Sequence, residues 1–282
     1  MQLAGKNAVV YGAAGSMGSA VSRAFAAAGA RVFLAGRTAA TLDALAEEIR
    51  AAGGQADAAV VDATDKESVD AHAAGVVERA GSLDVSFNAV AYDVLQDVPL
   101  VDMSLQDFVA PIVSATTTHF LTATAAARHM VAQGSGAIVM LSSTAARESR
   151  HEMGGFSLAC ASIETLVRSL AGEVGRHGVR VVGLRPNFTP ETVGAPDDDL
   201  PMLVKDTLLG RLPRLSEVAG TAVYLATDAA GARVFLAGRT AATLDALADE
   251  IRAAGGQAHA AVVDATDKES VDAHARLNPP IS

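Results

Sequence analysis

Residues 7–18 read Asn-Ala-Val-Val-Tyr-Gly-Ala-Ala-Gly-Ser-Met-Gly, and their order decides the fold. Asn7–Tyr11 is a short, largely β-branched apolar run, which predicts a strand. Gly12, Gly15 and Gly18 follow at once and let the backbone turn sharply. From Ser16 an amphipathic run begins that stops at Gly29, a natural left-handed helix end. A strand, a glycine-rich turn and a helix N-terminus together form an anion cradle, because free backbone N–H groups and the positive end of the helix dipole converge there. The spacing predicts a dinucleotide diphosphate held by Gly12, Gly15, Ser16, Met17 and Gly18.

The same alternation continues down the chain. Strands are predicted over 31–34, 58–62, 83–88, 136–141 and 179–184. Helices are predicted over 39–52, 66–80, 105–133 and 154–175. The strands are continuous apolar runs, as expected where helices cover both faces of a sheet. The helix over 39–52 places Leu42, Leu45 and Ile49 on one face and closes at Gly53-Gly54. The expected class is α/β: a Rossmann-type doubly wound parallel sheet in three α/β/α layers, strand order 3-2-1-4-5-6-7. Residues 233–236 are expected to fill the seventh place.

Residues 229–275 repeat residues 27–73 almost letter for letter, with Glu47 replaced by Asp249 and Asp57 by His259. The copy carries the second strand, its helix and the third strand, but no glycine turn. The organisation expected is a Rossmann domain over 1–230, the duplicate over 229–275 and a tail over 276–282. The duplicate reads as a recombination scar, or as an element that builds an interface or swaps between chains.

Composition narrows the function. Half of the 282 residues are hydrophobic, enough for a sizeable core and against disorder. The net charge is −10, and Lys6, Lys66, Lys205 and Lys268 are the only lysines, so nucleic acid is not an expected partner. One cysteine, Cys160, builds neither a disulfide framework nor a metal cluster. No metal is expected, and the thiol fits a reducing cytoplasm. The N-terminus enters a strand directly, unlike a signal peptide. No apolar run reaches the 18 or so residues of a membrane span, so no membrane partner is expected. The second strand ends in Ala35-Gly36-Arg37-Thr38. An acidic group there would favour NAD by holding the ribose 2′-hydroxyl. Arg37 instead suits a 2′-phosphate, which favours NADP and leaves NAD open.

These residues resemble the short-chain dehydrogenase/reductase family over roughly residues 1–230. YGAAGSMG at 11–18 is similar to the family's TGxxxGxG turn. Asp62-Ala63 stands where the family has the pair beside the adenine. LDVSFNAVA at 83–91 resembles LDVLVNNAG and brings Asn88 and Ala89 to the cofactor. GAIVMLSSTAA at 136–146, GVRVVGLRPNFTPET at 178–192 and LPRLSEVAGTAVYLATD at 212–228 resemble three further segments in the family's order. The resemblance implies a small-molecule substrate and a homo-oligomer, dimer or tetramer, built on long helices and the last strand.

It also implies a Ser–Tyr–Lys triad with a supporting Asn. Ser143 matches the serine and is the one catalytic candidate. The tyrosine, lysine and asparagine places fall on Phe156, Cys160 and Ala115. Phe156 has no hydroxyl to donate to a carbonyl oxygen, and Cys160 brings no permanent positive charge. Tyr92, Glu148, His151 and His119 are the substitutes within reach in sequence, each more readily explained as an ordinary surface or core residue. Cys160 reads as a small buried hydrophobe. Three functions follow: an atypical NAD(P)-dependent oxidoreductase, a dinucleotide-binding sensor or assembly subunit without chemistry, and a non-redox enzyme on the same fold.

Overall fold

The computed structural model describes residues 1–147, 152–194, 201–205, 207–228, 234–238 and 258–262. The chain divides into one unit spanning Met1–Thr227 and a second spanning Asp228–Ser282.

In the first unit, strands β1 (Asn7–Tyr11), β2 (Arg31–Gly36), β3 (Gln55–Val60), β4 (Val85–Asn88), β5 (Gly136–Leu141) and β6 (Val179–Leu184) form one parallel sheet. Its order is β3-β2-β1-β4-β5-β6. Every residue of β1 is buried, because β1 lies mid-sheet and both its faces are covered. Val10 pairs with Leu34 on one side and Phe87 on the other. These side chains join the core under α1 (Ser16–Ala27), α2 (Ala39–Ala51) and a later helix over Leu215–Ala226. Val9, Tyr11, Phe33 and Met140 point the other way, into a second core under α3 (Lys66–Ala80), α4 (Leu105–Gln133) and α5 (Phe156–Val174). The two cores make the expected three layers. Side-chain oxygens cap α3 and α4: Asp65 accepts from the Glu67 N–H and Ser104 from the Asp107 N–H. Both helices end on left-handed glycines, Gly81 and Gly134.

Two expectations are corrected. The third strand lies over Gln55–Val60 and not 58–62, because its register against β2 begins at Arg31↔Gln55, where Arg31 Nε also donates to Asp57 Oδ2 at 2.8 Å. Asp62 instead starts a turn, accepting at Oδ1 from the Thr64 N–H and hydroxyl. The seventh place is also not filled as expected. Among the described residues the main sheet has six strands, and Val234–Gly238 (β7) pairs in parallel with Ala258–Val262 (β8) in a sheet of their own. The pairs Val234↔Ala258 and Gly238↔Val262 are the counterparts of Val32↔Ala56 and Gly36↔Val60. The copy carries its own third strand, so its second strand finds its partner locally. The rest of the duplicate and the tail over 276–282 lie outside the described residues.

Candidate functional site

The strand order reverses between β1 and β4, the place where doubly wound sheets bind ligands at the carboxyl ends of their strands. A cleft of about 270 Å³ opens there, with Gly12, Gly15, Arg37, Asp62, Ala63 and Ala89 among its walls.

The three glycines of the turn have different reasons to be glycine. Gly12 sits at φ +74°, and a Cβ on it would lie 2.5 Å from the Ala89 carbonyl oxygen. A Cβ on Gly18 would lie 2.1 Å from the Gly12 carbonyl oxygen. Both are demanded by the protein's own packing. Gly15 is different: at φ −73° its Cβ would meet only the Gly12 oxygen, at 3.4 Å. What a side chain at Gly15 would fill is the cleft itself. Unlike α3 and α4, α1 begins with no side-chain cap and no acidic residue in its first turn. Its end therefore keeps unpaired N–H donors and an uncompensated dipole, facing a cleft that a diphosphate fits.

Arg37 and Asp62 are the charged side chains among the described walls of this cleft. The Thr64 bonds hold the Asp62 carboxyl below its usual range, with help from Arg37. Ser16 is exposed, its hydroxyl 3.5 Å from the Thr192 carbonyl oxygen. Met17 faces the neighbouring pocket described next. Gly18 and Asn88 do not line the cleft. Asn88 is buried, donates to Thr122 Oγ1 at 2.8 Å and accepts from the Val90 N–H at 2.9 Å. It shapes the chain that carries Ala89.

A second pocket, about 300 Å³, lies past the ends of β5 and β6 and is walled by Ser143 and Phe156 among others. Ser143 Oγ accepts from the Ala145 N–H at 3.3 Å. The Phe156 ring lies 6.2 Å from that of Tyr92, centroid to centroid, and the Tyr92 hydroxyl is 3.9 Å from Cys160 Sγ. The structure thus gathers Ser143, Phe156, Cys160 and Tyr92 at one corner. Burial raises the Tyr92 pKa, with Cys160 adding to the effect, and burial also raises that of Cys160. Both groups are held neutral. Ala115 is fully buried on α4. His119, one turn on, is sealed in the core, with Nδ1 2.9 Å from the Ala115 carbonyl oxygen. Burial lowers its pKa to about 4. Glu148 and His151 lie outside the described residues.

One group escaped the sequence reading. Glu164 is 8% exposed and ion-paired with Arg185 and Arg147, and it accepts from the Ser142 hydroxyl at 3.3 Å. Burial works to raise its pKa, but these bonds outweigh it and hold the carboxyl low. The cluster ties the end of β5 to α5 and so fixes the backbone that carries Ser143. Its one sequence signal was a carboxylate on an otherwise apolar helix face. Among the described residues no helix is long and apolar enough to cross a membrane, and no cluster of metal ligands occurs.

Comparison with known proteins agrees with this geometry. A family model described as enoyl-(acyl carrier protein) reductase matches residues 12–231. Gluconate 5-dehydrogenase of Gluconobacter oxydans is 29% identical, over 80% of this chain and 90% of its own. Cis-4-hydroxycyclohexanecarboxylate dehydrogenase of Sinomonas cyclohexanicum is 36% identical, over 79% and 90%. Among solved structures, a gluconate 5-dehydrogenase from Burkholderia cenocepacia in complex with NADP and tartrate superposes with a TM-score of 0.74 at 26% identity, over 81% of this chain and 91% of that one. The chain belongs to the short-chain dehydrogenase/reductase family of oxidoreductases.

Proposed function

We propose that this protein is an atypical NADP-dependent oxidoreductase that works without the tyrosine, lysine and asparagine of its family. The observation that carries the reading is the uncapped start of α1 beside Gly15, a cradle the protein's own packing does not use. Gly12, Gly15 and Ser16 would hold the diphosphate, Asp62 and Ala63 the adenine, and Arg37 a 2′-phosphate at the end of β2. When bound, the dinucleotide supplies a hydride. Ser143 would orient the acceptor by donating a hydrogen bond to its oxygen. Phe156 gives that oxygen no proton, and the Tyr92 phenol stays protonated and turned to Cys160. Turnover is therefore expected to be slow on simple carbonyls and fastest on acceptors that need no strong acid, such as alkenes activated by a conjugated carbonyl. Homo-oligomerisation is supported by the exposed Val113 and Phe120 on α4 and Leu158 on α5.

The test is a titration with NADPH and NADH, followed by a turnover panel of a ketone, an imine and an enone. NADPH is expected to bind more tightly than NADH. Arg37→Ala is expected to weaken NADPH by about tenfold to a hundredfold, as for a lost charge-assisted bond, and to leave NADH nearly unchanged. Binding with no turnover on any acceptor would point to the sensor reading. No binding of either dinucleotide would end both.

A further inference from the structure

The pocket beside Ser143 has polar residues on its walls, yet most of its hydroxyls already donate to acceptors within the protein. Ser142 donates to the Cys160 carbonyl oxygen at 3.2 Å and to Glu164. Thr144 donates to Asn187 Oδ1, and Thr189 to the Asn187 carbonyl oxygen. Thr192 donates to the Thr189 carbonyl oxygen at 2.7 Å. The Gln96 amide leans on Met153 Sδ at 3.6 Å. Among the wall hydroxyls only Ser143 differs. Its oxygen accepts from Ala145, and its own proton has no acceptor among the described residues. The remaining surface is set by Met17, Val94, Met153, Phe156 and Phe188, and no charged side chain lines the pocket among the described residues.

A polar group that enters such a site gives up water and finds few partners among the described walls, which costs more than its bond elsewhere returns. A carboxylate suffers most, since no cation among the described residues faces it. A single oxygen placed at Ser143 is the exception. The volume, about 300 Å³, lies at the small end of ligand pockets. From this accounting we infer that the pocket takes a compact, uncharged, mainly apolar ligand carrying one carbonyl oxygen, and that it rejects polyols and carboxylates. This sets the chain apart from relatives named for gluconate and for a cyclohexanecarboxylate. The inference rests on the proposed reading in one respect only: Ser143 faces the acceptor.

The full chain, with and without NADPH, would be titrated with cyclohexanone, methylcyclohexane, cyclohexanecarboxylate and D-gluconate, using ligand-observed NMR. Cyclohexanone is expected to bind at least about tenfold more tightly than cyclohexanecarboxylate, and gluconate to be undetectable. Ser143→Ala is expected to weaken cyclohexanone about tenfold, the size of one lost hydrogen bond, and to leave methylcyclohexane unchanged. Carboxylate or gluconate binding as tightly as the ketone would overturn the inference. So would a ketone affinity indifferent to Ser143→Ala. Ketone binding without NADPH binding would sink the oxidoreductase reading and leave this one standing. NADPH binding with a carboxylate preferred would do the reverse.

Discussion

The turn at residues 12–18 and the corner built from Ser143, Phe156 and Cys160 lie at the carboxyl ends of strands of one sheet but are made of different material. The turn works through its backbone. Gly12 and Gly18 are glycine because the strand, the helix and the Ala89 segment would otherwise collide, so the cradle persists wherever the fold persists. The corner would work through functional groups at the ends of side chains. Phe156 keeps the ring of a tyrosine and lacks only the hydroxyl, and Cys160 fills a buried slot at 1% exposure. Neither residue burdens the fold. A site made of peptide groups is protected by stability, whereas a site made of side chains can be emptied at little structural cost. On the proposed reading, dinucleotide binding and proton transfer have come apart along that line.

The sharpest way to break this comparison is to refill the corner. Phe156→Tyr with Cys160→Lys places a phenol beside Ser143 and a cation to depress its pKa. Because the Tyr92 hydroxyl stands 3.9 Å from Cys160 Sγ, Tyr92→Ala is added to make room for the ammonium. Ketone turnover by the triple variant is expected to rise by about 10²- to 10⁴-fold, the usual worth of a positioned general acid, with NADPH affinity retained. If binding is intact and the rate does not move, the proposed assignment of proton transfer to this corner fails.

The turn itself separates into fold and function. Gly18→Ala drives a Cβ to 2.1 Å from a backbone oxygen and is expected to destabilise by about 3 kcal/mol, as for an overpacked core. Gly15→Ala meets nothing closer than 3.4 Å and should cost at most about 1 kcal/mol, as alanine does at a helix N-cap, while it weakens NADPH by roughly tenfold. Urea midpoints beside NADPH titrations check both. Equal effects of the two substitutions on stability and binding would show that the turn makes no such division.

The strand–glycine–helix order of residues 7–18 was enough to expect the layers and the first six places of the sheet, because local apolar periodicity and turn chemistry agree there. The third strand lies earlier than its apolar Val60-Val61 suggests because Gln55 is exposed at the strand's start and Asp57 is ion-paired with Arg31. The seventh place differs for another reason: an apolar run does not say which strand it pairs with, and the segment over 234–238 pairs with the third strand of its own copy. In the site, the residues acting through backbone position, Gly12, Gly15 and Ala89, were legible. The Glu164–Arg185–Arg147 cluster and the Tyr92–Cys160 contact were not, since each joins segments far apart in sequence with no motif linking them.

Each region also shelters one buried histidine, and the pair offers the finest test. His72 lies edge-on to Tyr11 at the foot of the turn, with both ring nitrogens unpartnered. His119 lies in the core one helical turn past Ala115, with Nδ1 on the Ala115 carbonyl oxygen and the Leu141 backbone also facing the ring. Burial, with Arg79 helping at His72, pushes both pKa values down to about 4. The folded state therefore keeps both rings neutral, while the unfolded chain takes up protons below its ordinary value near 6.5. Stability from this source is complete above about pH 6.5 and is lost as the pH falls toward 4, by roughly 2–3 kcal/mol per ring. Either His→Leu substitution should flatten the fall in urea midpoint between pH 7 and 4.5. At pH 7 the two should differ. His72→Leu removes two unpaired buried nitrogens and should stabilise by about 1 kcal/mol, whereas His119→Leu also gives up the bond to Ala115 and should change little. An unaltered slope in both variants would mean that neither imidazole is held neutral by its burial. A loss of stability at pH 7 on His72→Leu would mean that its nitrogens have a partner, and that the foot of the turn relies on a side chain after all.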